Sequence, residues 1–306
     1  MADGSGQSKN SQADQQAVNQ GYNQFHLHHH TSTAQTAAQI QQQAVNKQLQ
    51  NSAQYGPLGP LIALPEGLVQ GQNQLDGQIQ NLKQGMDLRS APGHSTANYM
   101  GISHQQLYDS VQSVDPGTVG DVGSTWLKIG NSMAGTLDTV AAALTTSQST
   151  WTGPASDKAR TSVATLANKS GQAGQAAQLA GTLTSQQADA ARNAKASVPA
   201  PPNPAYNPAA AQQQLQTIQD PFALAVQGAA DQKAQAAQQA AHQEAATAVQ
   251  AYDTQVQQTS TSQPAFAPPP AVTSKGPGGT GGTGTGSTGT GAGVGGLPTG
   301  GGPFVG

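Results

Sequence analysis

The sequence contains no cysteine. That removes disulfides, thiolate metal ligands and cysteine nucleophiles, and it leaves the compartment open. Charged residues make up only 9% of the chain and aromatics 4%. Ordinary globular chains carry about 25% charged residues. So few large apolar side chains do not build one compact core over 306 residues. Part of the chain must pack through small residues, and part must stay unpacked. Lys and Arg number 12 against 15 Asp and Glu, so the net charge of −3 offers no basic footprint for nucleic acid. No apolar run has the length of a membrane span. The best stretch, Leu58 to Leu68, is interrupted by Gly59, Pro60 and Pro65. The polar start, Met1 to Asn10, has no apolar h-region, so no Sec-type leader is expected.

What remains is small and polar, and it changes along the chain. Residues 1–98 are rich in Gln, Asn, Ser and His. They show weak helical patterns from about Thr33 to Gln50 and from Leu68 to Met86, neither with an aromatic residue, and predict disorder or marginal helix. Residues 99–198 are the organised part. Residues 199–257 read as a Pro-rich link followed by an Ala/Gln helix. Residues 258–306 are Pro-rich and then Gly/Thr-rich; more than half of the positions from Gly276 onward are glycine and none is charged, which predicts a disordered tail.

The organised part carries helix punctuation. Ser103 and Gln106 have the spacing of a capping box, just before Leu107, Tyr108 and Val111. Asp115-Pro116 supplies an N-cap and a first-turn proline. From there Val119, Val122, Trp126, Ile129, Met133, Leu137, Val140 and Leu144 recur at steps of three and four, one continuous helical stripe. That helix runs to about Ser149, roughly 50 Å at 1.5 Å per residue. Trp151-Thr152-Gly153-Pro154 then reads as a tight turn. A second helix continues to about Lys195, with a smaller stripe of Ala159, Val163, Leu166, Ser170, Ala173, Ala177 and Ala180. Folding back places Met133 near Ser170, Ile129 near Ala173 or Gly174, and Trp126 near Ala177, large against small. Asn207-Pro208 and Asp220-Pro221 are two further N-cap and first-turn pairs. A hairpin alone leaves its outer faces open, so the stripe predicts a partner.

Asn98-Tyr99-Met100, the run Ser103-His104-Gln105-Gln106-Leu107-Tyr108, the long helix, Trp151-x-Gly153 and a second long helix follow one another in that order. This arrangement resembles the actinobacterial PPE domain, within the WxG helical-hairpin superfamily of type VII (ESX) secretion substrates. The resemblance covers about residues 99–200. It implies an elongated hairpin that pairs with a smaller PE- or WxG-type helical protein. It also implies export of the folded pair by a membrane-bound ATPase machine, without a cleaved signal, to the outside or the cell surface. In that family one member of the pair carries a tyrosine-x-x-x-acid signal. None of the six tyrosines here has an acid four residues on, so the signal is expected on the partner. The Pro-Pro-Glu triplet is missing, and Leu64-Pro65-Glu66 is the nearest string. A PE-like hairpin supplied in cis by the 98-residue extension is an alternative.

Other motifs are weaker. His26, His28, His29 and His30 are close enough to capture a metal ion, but no carboxylate or second His cluster is near in sequence. Gly93-His94-Ser95-Thr96-Ala97 lacks the strand and helix of a nucleophile elbow. The Gly/Thr tail lacks the G-K-[ST] of a phosphate loop, and His242-x-Glu244 is not a zinc-protease pair. No catalytic constellation, cofactor or metal is expected. The fold class predicted is all-α: an elongated antiparallel helical hairpin or bundle with disordered N-terminal and Gly-rich C-terminal regions. The site residues are Trp151 and Gly153 at the turn and the stripe from Val119 to Leu144. The alternatives are a cytosolic coiled-coil scaffold that homo-oligomerises through the same stripe, and a carrier module for a secreted toxin.

Overall fold

The computed structural model describes residues 5–52, 59–90 and 96–266. It divides the chain into a unit spanning Met1–Phe266 and a second, Ala267–Gly306. The second unit, and with it the expectation of a disordered Gly-rich tail, lies outside the described residues. Among the described residues there is no strand, and the elements are α-helices: α1 (Ser5–Gln24), α2 (Ala37–Asn51), α3 (Gly59–Lys83), α4 (His104–Gln112), α5 (Pro116–Thr150), α6 (Pro154–Ser197), α7 (Pro208–Thr217) and α8 (Pro221–Thr261). The fold is all-α, built on one long hairpin.

The start signals work as read. Ser103 and Gln106 form a reciprocal capping box at α4. Asp115 caps α5, Asn207 caps α7 and Asp220 caps α8, each followed by proline. Each cap satisfies amide groups that the first helical turn leaves without a carbonyl partner.

The seam between α5 and α6 differs from the expected one. On α5 the buried set is Gly123, Leu127, Gly130, Ala134, Leu137, Ala141 and Leu144. On α6 it includes Ala164, Ala167, Gly171, Gly174, Gln178, Gly181, Ser185 and Ala188. Both sets alternate steps of three and four, the 3.5-residue repeat of a left-handed supercoil. Small residues let the two backbones close. A Cβ at Gly130 would stand 2.6 Å from the Gly174 carbonyl oxygen, and one at Gly181 would stand 2.7 Å from that of Gly123. The register is also one turn away from expectation, because Met133 sits against Gly174 rather than Ser170.

Three smaller assemblies clothe this hairpin. Tyr22 and Leu27 pack against Leu137, Ala141, Leu144, Ala164 and Ala167. Here α1 approaches so closely that Gly21 lies on the Ala141 backbone, where no side chain fits. Next, α2 and α3 form their own antiparallel pair, in which Ala37, Ile40, Leu75, Ile79 and Leu82 enclose Leu179 and Leu183 of α6. At the far end, Leu107 and Val111 of α4 meet Ala194, Val198, Ala245, Ala246 and Val249. Each fully buried Leu contributes about 1.5–3 kcal/mol by its removal from water.

The N-terminal region folds onto this hairpin. Residues 1–98, expected as disorder or marginal helix, contain three docked helices. Alone they would be marginal, since their polar sequences bury little; they gain their stability from the hairpin face they cover. The weak pattern from Thr33 to Gln50 is α2. The pattern from Leu68 to Met86 is the later part of α3, which begins at Gly59 and accommodates Pro65 internally. At the other boundary, α8 passes residue 257 and ends at Thr261. Backbone bonds from Arg89 N–H to the Gln263 carbonyl and from Ala265 N–H to the Asp87 carbonyl tie that end to the segment after α3.

Candidate functional site

The turn between α5 and α6 is built by four residues with separate tasks. Trp151 leaves the helix at φ −136°, and its N–H still bonds the Ser147 carbonyl. Gly153 has φ 107° and ψ 169°, a conformation that L side chains avoid. This is the physical reason for glycine there. Pro154 takes the first helical position, where its missing N–H costs nothing. Ser156, fully buried, donates to the Gly153 carbonyl at 2.6 Å.

Beneath the turn lies Arg160, only 6% exposed. Its Nη1 donates to the Trp151 carbonyl at 2.9 Å and to the Ser147 carbonyl at 3.4 Å. Its Nη2 donates to Ser156 Oγ at 3.1 Å and Asp157 Oδ1 at 2.7 Å. One guanidinium thus closes the C-terminal carbonyls of α5 and the first turn of α6 into a single brace. A buried cation is costly unless its donors are satisfied, and here four acceptors surround it. The Trp151 side chain is left 51% exposed above this brace. Reading the sequence missed Arg160. Its signal was the three-residue spacing from Asp157, an acid in the first turn of α6.

The stripe is placed less simply. Leu137 and Leu144 lie in the buried seam. Val119, Val122, Trp126, Met133 and Val140 are half-buried, and Ile129 is 45% exposed. From Val122 to Val140, each of these residues other than Leu137 stands one position before a seam residue, so it flanks the seam instead of filling it. Chain segments cover part of this flank. Val140 packs against the cluster that holds Tyr22 and Leu27, and the Trp126 ring stacks 5.6 Å from that of Phe266. The α6 stripe fares similarly: Ala177 and Ala180 are buried, while Val163 and Leu166 are exposed.

Two of the four clustered histidines make ring contacts within the fold. His29 stacks on Tyr22 with centroids 3.7 Å apart, and His30 lies against Gly171. Burial pushes the His30 pKa down, against a hydrogen bond with Gln175 that raises it; His28 and His29 add to the lowering. Burial and the bond from its hydroxyl to Asp138 (2.9 Å) push the Tyr22 phenol up. Among the described residues no group of three or more His, Asp or Glu is placed to hold a metal ion. Residues 91–95, with most of the elbow-like string, lie outside the described residues. A cleft of about 670 Å³ opens between α4, the Pro201–Pro202 link and α8. There His104 Nε2 meets the Pro199 carbonyl at 2.9 Å and His242 Nε2 meets that of Ile102 at 2.8 Å, so both rings pin the link and the start of α4 to the bundle. Among the described residues no helix is long and apolar enough to cross a membrane. Compared with known proteins, the chain matches no family, no curated protein and no solved structure.

Proposed function

We propose that this chain is a non-enzymatic, PPE-like interaction protein, exported by a type VII (ESX) secretion system together with a PE- or WxG-type helical partner. It acts outside the cell or on its surface, and the machinery reads the Trp151–Gly153 turn. The observation that supports this reading most is the half-exposed Trp151 held over a buried four-bond brace. Burying an indole is worth a few kcal/mol, so an indole fixed in water on a rigid turn is suited to a receptor. Apolar positions that stay open to a partner are Ile129 on α5 and Val163 and Leu166 on α6. The test is an immunoblot of culture filtrate and cell pellet, in the native host and in a strain lacking the secretion ATPase. Protein in the wild-type filtrate that vanishes in the mutant supports the reading. Protein confined to the pellet in both strains, with a clean lysis control, overturns it.

One observation favours a second reading, a cytosolic scaffold. The first half of α8 exposes Phe222 (78%) and Val226 (55%), four residues apart on one helix face and suited to self-association. The same fractionation separates the two.

A further inference from the structure

The cleft between α4, the Pro201–Pro202 link and α8 gathers rings and amides. From α4 come His104, Gln105 and Tyr108, and from α8 come Gln238, Gln239 and His242. Both triplets have the spacing i, i+1, i+4, which holds them on one side of each helix. Histidine is scarce in this chain. Of the seven, four are His26, His28, His29 and His30, and one is His94. The remaining two come from different helices, and their rings stack at this cleft with centroids 6.0 Å apart.

The walls are fixed before a ligand arrives. His104 Nε2 donates to the Pro199 carbonyl and His242 Nε2 to that of Ile102. The Tyr206 N–H donates to Gln238 Oε1 at 2.7 Å. These bonds tie the link, α4 and α8 into one frame, which lowers the ordering cost of binding. By contrast, the side chains of Tyr108, Asn203 and Gln239 make no hydrogen bond within the described residues. A phenol and two amides thus stand unspent on a braced wall.

The lining decides the class of ligand. Among the described residues no Lys, Arg, Asp or Glu belongs to it. It therefore lacks the cation that holds a phosphate or carboxylate and the carboxylates that hold a metal ion. A wholly apolar ligand would leave the phenol and the amides buried without partners, which is costly. A side-chain amide carries a donor and an acceptor side by side, the match for adjacent hydroxyls that each donate and accept. The faces of Pro201, Pro202 and the three aromatic rings suit a flat array of C–H bonds. A pyranose has both features, hydroxyl edges and C–H faces, and carries no charge. The cleft volume of about 670 Å³ lies within the range of about 300–1,000 Å³ for small-molecule sites.

We propose that this cleft is a binding site for a neutral saccharide. The Asn203 and Gln239 amides and the Tyr108 hydroxyl take its hydroxyls, and the Tyr108, His104 and His242 rings pack on its C–H face. The site does not depend on the export reading, because it needs only the folded chain.

The test titrates the full chain with neutral trisaccharides of glucose, of galactose and of mannose, and with the acidic trisaccharide of galacturonic acid. NMR of the histidine ring C–H groups is the readout. At least one neutral trisaccharide should bind with a dissociation constant of about 1 mM or tighter. It should move the His104 and His242 resonances saturably and leave those of His26, His28, His29 and His30 in place. The double variant Asn203→Ala, Gln239→Ala removes two amides that the fold does not use, so it should keep its helical circular dichroism and bind about tenfold more weakly. Tyr108→Phe keeps the ring and loses only the hydroxyl, and should bind about threefold more weakly. Still resonances at His104 and His242 with every neutral trisaccharide overturn the proposal. So does wild-type affinity in both variants, or tighter binding of the acidic trisaccharide or of the peptide Ala-Pro-Pro-Pro-Ala.

Discussion

Alanine at Gly130 and alanine at Gly135 are the same chemical change on one helix, and the structure gives them opposite signs. A Cβ at Gly135 meets nothing within 4 Å. It gains the helix propensity that glycine lacks, about 1 kcal/mol. A Cβ at Gly130 falls 2.6 Å from both the Gly174 carbonyl oxygen and Gln178 Cγ, and 2.7 Å from the Gln178 nitrogen. A carbon–oxygen contact normally rests near about 3.3 Å, so the helices must part by about 0.7 Å. A gap of that size forfeits roughly a quarter to a half of the dispersion well for neighbouring seam contacts. Overpacking of this kind costs about 1–3 kcal/mol, and two backbone atoms among the three place Gly130→Ala in the upper half. After the propensity gain, a net loss of about 1–2 kcal/mol remains, against a gain of about 1 kcal/mol at Gly135. The gap of about 2–3 kcal/mol corresponds to about 5–10 °C between the two melting temperatures for a chain of this size. Thermal and urea unfolding followed by far-UV circular dichroism measure it. A Gly130→Ala protein as stable as Gly135→Ala would refute the small-residue seam.

Three further outcomes are expected. Trp151→Ala should leave helix content and unfolding midpoint nearly unchanged and abolish export, whereas Gly153→Ala should cost about 1–3 kcal/mol through its backbone conformation; normal export of Trp151→Ala sinks the role of the turn. Arg160→Ala leaves the Trp151 carbonyl and the Ser156 hydroxyl without their cationic donor and should destabilise by about 2–3 kcal/mol in urea titration, with faster hydrogen exchange at residues 151–157. For His30, the folded chain favours the neutral ring and the unfolded chain takes its proton first. Stability from this group is full above the ordinary His pKa near 6.5 and drains as pH falls through it toward the depressed folded value, and His30→Gln should flatten that limb of the stability–pH curve.

The long hairpin was legible because its signals are local. Asp115-Pro116, Gly153-Pro154 and Asp220-Pro221 mark starts by cap chemistry, which needs no tertiary knowledge. The seam was harder. Hydrophobicity picks out Val122, Trp126, Ile129 and Met133, whereas close packing selects the residue after each one, small at three of the four positions. A pattern search weighted toward large side chains lands one position early for that reason. Of the three N-terminal helices α1 was missed, and α2 and α3 showed only as weak patterns, because their stability is supplied by α5 and α6. Ile40, Leu75, Ile79 and Leu82 are too widely spaced in polar sequence to announce a core, and they become one only around Leu179 and Leu183. The brace at the turn was half legible: Trp151 and Gly153 stood out, while Arg160 did not.

Ala37 and the serine that receives its amide are 148 residues apart. A ribosome adding about 5–20 residues per second presents the second about 7 to 30 seconds after the first. For most of that interval α2 and α3 have only each other to fold against. An arm rich in large apolar groups would spend it exposing aggregation-prone segments to the crowded space around the tunnel exit. The glutamines, asparagines and serines that make these helices poor folders alone also make them safe to synthesise early. The composition that hides the arm's structure from a reader is what vectorial synthesis asks of a segment that must wait for its own scaffold.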